Sequence, residues 1–310
     1  MMRKPTAPSI TFPKIILWWR QATPSAARKW PSRLVSAPSA KRLKTLMGRI
    51  RATRVAFISV MWILLCMPIQ TFNKRFAPAW SRKFPVWFHG SLLRLMGVRV
   101  TVTGARPAKG AALMVANHQG WLDIPVLSTI CPLSFVAKAE INKWPFFNIL
   151  ARLQRTVFIS RKREKQLAKQ RDEISERLAG GSTMMVFAEG TSGRGIHVLP
   201  FRSSLFSVAE KFPDMPVYPV TVCYRRRYGM PMGRDDHPTV GWYADMDLLP
   251  HVWEFFKLGP VDVSVHLHEP IYARDHDRKR LARMSHEQIV ASLETLRRHA
   301  GKKVDFARIA

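Results

Sequence analysis

No aspartate or glutamate precedes Asp123 in this 310-residue chain, although 21 lysines and arginines do. The rest of the chain is closer to balance, with 29 Lys/Arg against 21 Asp/Glu, so most of the net charge of +29 lies before Asp123. A segment without acids cannot neutralise its own cations. So one-sided a charge calls for an anionic partner, either nucleic acid or an anionic lipid surface. Cysteine is scarce too: Cys66, Cys131 and Cys223 are too few and too far apart for a disulfide framework or a zinc site, which suits a reducing compartment. No Gly-x-Ser-x-Gly elbow occurs, which removes the serine-nucleophile route of α/β-hydrolases. No nucleic-acid recognition motif accompanies the basic residues, so nucleic acid is not the expected partner.

An apolar run of full bilayer length is also missing, and the one present falls between a buried helix and a span. The longest apolar stretch, Val55–Ile69, has 15 uncharged residues and reaches about 18 with Gln70, Thr71 and Phe72, whereas crossing a bilayer takes ~20. Arg51 and Arg54 flank it on one side, Lys74 and Arg75 on the other, and Pro68 is expected to kink it. Residues 77–97 add an amphipathic piece in which Trp80, Phe84, Trp87, Phe88, Leu92 and Leu93 alternate with Arg82, Lys83 and Arg94. The pair reads as a membrane-seated hairpin over 54–97, with cations over lipid headgroups; a single-span anchor is the simpler alternative. Residues 1–53, with six prolines and Ser/Ala clusters, read as a disordered basic extension. In that extension Ile15–Trp19 could enter a membrane interface.

From residue 98 onward the pattern is α/β. Strands are expected at 98–102, 112–116, 134–137, 156–160, 183–188, 217–222 and 261–268, with helices at 164–179 and about 286–299, the latter capped by Ser285 and Gln288. Strands alternating with helices predict a mostly parallel sheet flanked by helices on both faces, filling residues 98–310.

The informative stretch is 112–125, ALMVANHQGWLDIP. A buried strand runs into a turn at Asn117 and Gly120, and Asp123 and Pro125 open a helix. His118 therefore sits at a strand-to-helix turn, where open α/β sheets place ligand chemistry. Asp123 is close enough to hold one imidazole nitrogen and leave the other as a general base. Alone, the pair also reads as a helix cap beside a surface histidine. A second strand, 183–188, runs into Glu189-Gly190-Thr191, and the turn continues through Ser192, Gly193 and Arg194. His266 and His268 share one face of a strand, with no third ligand to make a metal site.

These motifs together resemble the glycerolipid acyltransferase family. The resemblance rests on Asn117-His118 with Asp123 five residues on, on Thr156–Arg161 (TVFISR), on Phe187–Thr191 (FAEGT), and on Val217–Val220 (VYPV), all in the family's order across residues 85–270. It implies an O-acyltransferase that esterifies lysophosphatidic acid to phosphatidic acid, with no cofactor and no metal. The implied donor is acyl-CoA or acyl-carrier protein, both acidic. His118 and Asp123 would be catalytic. Arg161, Glu189, Gly190, Thr191, Arg194 and Pro219 would form the acceptor site. Many members carry Arg directly after Glu-Gly-Thr; here Ser192 stands there and Arg194 follows two residues later. A longer match, Val198–Phe206 with Trp242–Met246, resembles a proteobacterial branch that also acylates lyso-ornithine lipid, the alternative acceptor. The implied location is the cytoplasmic face of a bacterial inner membrane, against its anionic surface.

Overall fold

The computed structural model describes residues 40–107, 109–159 and 164–302. Two helices come first, α1 (Ala40–Phe76) and α2 (Pro78–Met96). They run antiparallel about a turn at Ala77. Trp62 Nε1 donates to Ser91 Oγ at 2.9 Å, and Gln70 Nε2 donates to the Ser81 carbonyl at 2.9 Å. Pro78 opens α2, where a missing N–H costs nothing. The apolar stretch lies within α1, and Pro68 lies inside that helix, which runs on to Phe76. Residues 40–53, part of the expected disordered extension, belong to α1; the remainder of that extension lies outside the described residues. An 18-residue window of α1 has a mean hydropathy of 2.0, and only 22% of it is buried. By length and composition α1 can cross a membrane.

The strands that follow are β1 (Val98–Gly104), β2 (Ala112–Ala116), β3 (Leu133–Lys138), β4 (Val157–Ile159), β5 (Thr183–Phe187), β6 (Pro216–Arg227), β7 (Met230–Pro231), β8 (Val261–Leu267) and β9 (Ile271–Tyr272). The helices among them are α3 (Asp123–Leu127), α4 (Phe147–Leu153), α5 (Glu164–Ala179), α6 (His237–Val240), α7 (Leu248–Lys257) and α8 (Arg278–Arg298). One sheet forms in the order β1-β8-β6-β2-β5-β3-β4, with β7 and β9 pairing to β6. The pairings β2·β5, β2·β6, β3·β5, β3·β4 and β1·β8 are parallel, whereas β6·β8 is antiparallel. The sheet is thus mixed: five neighbouring strands point one way and the β8·β1 pair points back.

Both faces of the central strand are buried, which explains its unbroken apolar run. Met114 and Ala116 of β2 join Met185, Tyr218, Val220 and Val222 beneath α2 and α3. Leu113 and Val115 join Met184, Val186 and Val217 against α5 and α8. The last helix begins eight residues before its expected start. Its N-cap is Asp277, whose Oδ1 accepts from the Arg280 N–H at 2.7 Å, and Ser285 is a fully buried residue inside α8 with an unpartnered hydroxyl. The capping-box spacing at Ser285 was a coincidence of composition.

That correction can be tested. Asp277→Ala should cost about 1 kcal/mol, the usual value of a lost cap. Ser285→Ala should be neutral or stabilising, because it removes a buried hydroxyl that has no partner. Thermal unfolding of both variants in the same detergent checks this, and a larger loss for Ser285→Ala would contradict it.

Candidate active site

β2 and β5 end at one edge of the sheet, and the loops leaving them build the site against β6, which runs on past them to Arg227. Asn117 extends β2 with its side chain in place of its backbone. Its Nδ2 donates to the Val222 carbonyl at 3.0 Å, and the Val222 N–H donates to its Oδ1 at 2.8 Å. This frees the chain to turn at His118 while staying tied to β6.

Asp123 is fully buried, and its carboxylate accepts four hydrogen bonds, three on Oδ2 and one on Oδ1. Oδ2 accepts from His118 Nδ1 at 2.9 Å, from the Gln119 N–H at 2.5 Å and from the Gly120 N–H at 3.0 Å. Oδ1 accepts from the Tyr224 hydroxyl at 2.7 Å. Burial, with the Asp123 charge beside it, pushes the Tyr224 hydroxyl well above the ordinary tyrosine range, so it stays protonated and donates. The His118 ring stacks on Phe187, centroids 3.8 Å apart. Its side chain is 18% exposed, and Nε2 has no hydrogen-bond partner among the described residues. One nitrogen is tethered as a donor and the other is left available to accept a proton.

Glu189 holds this loop to its neighbour. Ala116 pairs with Phe187, so His118 and Glu189 leave the sheet side by side. Glu189 Oε1 accepts from the His118 N–H at 2.8 Å, and Oε2 accepts from the Leu199 N–H at 3.0 Å. The Gly193 N–H returns to the His118 carbonyl at 2.9 Å. Burial pushes the Glu189 carboxyl up to about 7, against the two N–H bonds that favour the anion, and the Asp123 charge adds to the rise. Two glycines allow the close approach. A Cβ on Gly120 would fall 2.6 Å from the Trp242 backbone nitrogen, and one on Gly195, at φ +72°, would fall 2.1 Å from Gln119 Oε1.

The remaining sequence candidates scatter. Gly190 and Thr191 lie in the turn after Glu189, with Thr191 exposed. Arg194 is exposed, with its guanidinium 5.5 Å above the Tyr243 ring. Pro219 is buried within β6, opposite Val115 and three residues before Val222, which the Asn117 amide bridges. Arg161 lies outside the described residues. His266 and His268 bond to Thr103 Oγ1 at 3.0 Å and Thr221 Oγ1 at 2.9 Å, and burial holds both near a pKa of about 4. Tyr224 was missed, although it lies on the same strand face as Val220 and Val222, two residues beyond the expected end of that strand.

Residues 97–223 match the family model described as Acyltransferase. A lyso-ornithine lipid O-acyltransferase of Brucella abortus is 37% identical, over 81% of this chain and 96% of that protein. A 1-acyl-sn-glycerol-3-phosphate acyltransferase of Neisseria gonorrhoeae is 30% identical, over 52% of this chain and 61% of that protein. The crystal structure of the 1-acyl-sn-glycerophosphate acyltransferase PlsC from Thermotoga maritima shares the fold, with a TM-score of 0.63 and 22% identity over 82% of this chain and 97% of that one. The agreement with the Brucella protein over nearly its whole length, together with the family match across the His118 and Glu189 loops, makes this chain a member of the acyltransferase family, an O-acyltransferase of lysolipids.

Proposed function

We propose that the protein transfers a fatty acyl group from an acyl thioester to the free hydroxyl of lyso-ornithine lipid, with His118 as general base. The observation that carries the chemistry is the tethered Nδ1 and unpartnered Nε2 of His118. Nε2 takes the proton of the lysolipid hydroxyl as its oxygen attacks the thioester carbonyl carbon. Asp123 holds the ring and stabilises the imidazolium that forms. The tetrahedral oxyanion then collapses, the C–S bond breaks, and His118 returns the proton to the departing thiolate. No nucleophile on the protein is required. The donor is acyl-CoA or acyl-carrier protein, both acidic, in keeping with the basic chain.

Support for the acceptor comes from relatives. The Brucella protein named for lyso-ornithine lipid matches at higher identity and over more of its length than the neisserial protein named for 1-acylglycerol phosphate. The arginine expected after Glu-Gly-Thr for a phosphate is Ser192 here, and Arg194 faces Tyr243. Ornithine presents a carboxylate and an ammonium where lysophosphatidic acid has a phosphate, so that departure suits it. Lysophosphatidic acid, implied by the family motifs alone, becomes the second acceptor. The α1–α2 hairpin, with Phe57, Leu65, Phe72, Phe76 and Trp80 exposed, would seat the enzyme in the cytoplasmic leaflet where lysolipids reside.

Membranes holding the protein, given labelled acyl donor and either lysolipid, should form more ester on lyso-ornithine lipid. His118→Ala should lower that rate by at least ~10²-fold. Preferred acylation of lysophosphatidic acid would overturn the acceptor, and an active His118→Ala variant would overturn the base.

Glu189 gives a separate pH test. Its carboxyl has a higher pKa in the fold than its ordinary value, so its stabilising share is present while it is protonated. That share is lost as pH rises from 4.5 through about 7. Relative to Glu189→Gln, the parent protein should lose up to about 3 kcal/mol more between about pH 5 and pH 8. Parallel stability curves for the two proteins would contradict the shift.

A further inference from the structure

The opposite edge of the sheet carries a second concave site. Strands β2, β3 and β5 are parallel, so their amino ends lie together, the length of a five-residue strand (~17 Å) from the His118 edge. A cavity of about 280 Å³ opens there between α2, the β1–β2 loop and the loops entering β3, β4 and β5. Arg82, Lys109 and Arg155 line it, and no aspartate or glutamate does. Among the described residues, none of these three side chains has a hydrogen bond or an ion pair. Three cations drawn from three separate elements face one hollow with no counter-charge.

Arg155 is held there against its backbone preference. It follows α4 in a Schellman turn, its N–H donating to the Arg152 carbonyl at 3.1 Å and the Thr156 N–H to the Ala151 carbonyl at 2.9 Å. That position takes glycine most often, because a positive φ strains any side chain. Here φ is +61° and the residue is arginine. Burial, with Arg82 and Arg177 nearby, lowers the Arg155 pKa, as expected where cations crowd together without an anion. Arg177 itself is matched by Glu173 at 2.7 Å and donates to the Arg155 carbonyl at 2.5 Å.

We propose that this pocket binds a phosphate group, that of an anionic phospholipid, at a site separate from the catalytic edge. Guanidinium groups suit phosphate geometry, and a lysine adds a mobile charge. The lipid is favoured over free phosphate by the pocket's neighbours. α2, which supplies Arg82, also exposes Trp80 (68%) and Trp87 (54%), and Phe76 at the hairpin turn is 65% exposed. Such rings settle at the level of lipid headgroups.

Cys131 provides a local reporter, since it lines the pocket and is half-buried, whereas Cys66 and Cys223 are buried. The full chain in neutral detergent would be labelled with an uncharged maleimide and the Cys131 peptide followed by mass spectrometry. Short-chain phosphatidylglycerol should slow labelling about threefold, as at two-thirds occupancy. Inorganic phosphate at the same concentration should give less protection. The variant Arg155→Gly with Lys109→Gln should lose the protection while its thermal midpoint is not lowered, because glycine suits the turn. No protection by the lipid, or protection retained in the variant, would overturn the site. Equal protection by inorganic phosphate would overturn the lipid assignment. Acyl transfer is not part of the readout, so the result stands apart from the role of His118.

Discussion

A fully buried carboxylate must be satisfied from all sides or it costs several kcal/mol, and Asp123 imposes that condition on everything around it. Its four donors come from the β2–α3 loop and from β6: the His118 ring, the Gln119 and Gly120 backbones, and the Tyr224 hydroxyl. The loop therefore cannot move relative to β6 without stripping the charge. Glu189 adds a second tie by accepting the His118 N–H, and the Asn117 amide adds a third through Val222. An imidazole in such a setting has lost most of its freedom before any substrate arrives. Orientation of this kind is what a direct acyl transfer without a protein nucleophile needs.

The same sheet separates two kinds of polar chemistry. At the carboxyl ends of β2 and β5, the Asp123 and Glu189 carboxylates are buried in a hydrogen-bonded network. At the amino ends, cations stand unmatched around a hollow, next to a hairpin whose apolar face the protein does not cover. A network that must hold one geometry and a surface that must meet an external anion have opposite electrostatic requirements, and the strands keep them apart.

Much of this was legible in the sequence. The seven expected strands all occur, because runs such as Leu113–Ala116 and Met184–Val186 can be buried only on both faces of a sheet. The pairing of His118 with Asp123 followed from their spacing across a turn. That of the His118 N–H with Glu189 did not, because it needs β2 and β5 side by side in register. What stayed hidden depends on distant partners. Tyr224 looks like one more apolar strand residue until Asp123 is placed beside it. The antiparallel β6·β8 seam has no local signature. The start of α8 went to Ser285 because the capping pattern was read locally, while burial inside the helix was decided by packing against the sheet. The cationic hollow draws on α2 and four loops, so no window of sequence contains it.

The most direct test of the central claim is the tautomer of His118, read from ¹⁵N shifts of histidine-labelled protein in micelles and assigned against His118→Gln. If Asp123 holds the ring as described, neutral His118 carries its proton on Nδ1 and leaves Nε2 bare. A proton on Nε2 would contradict the account, since the nitrogen proposed as base would be occupied and the buried carboxylate would have lost one of its four donors.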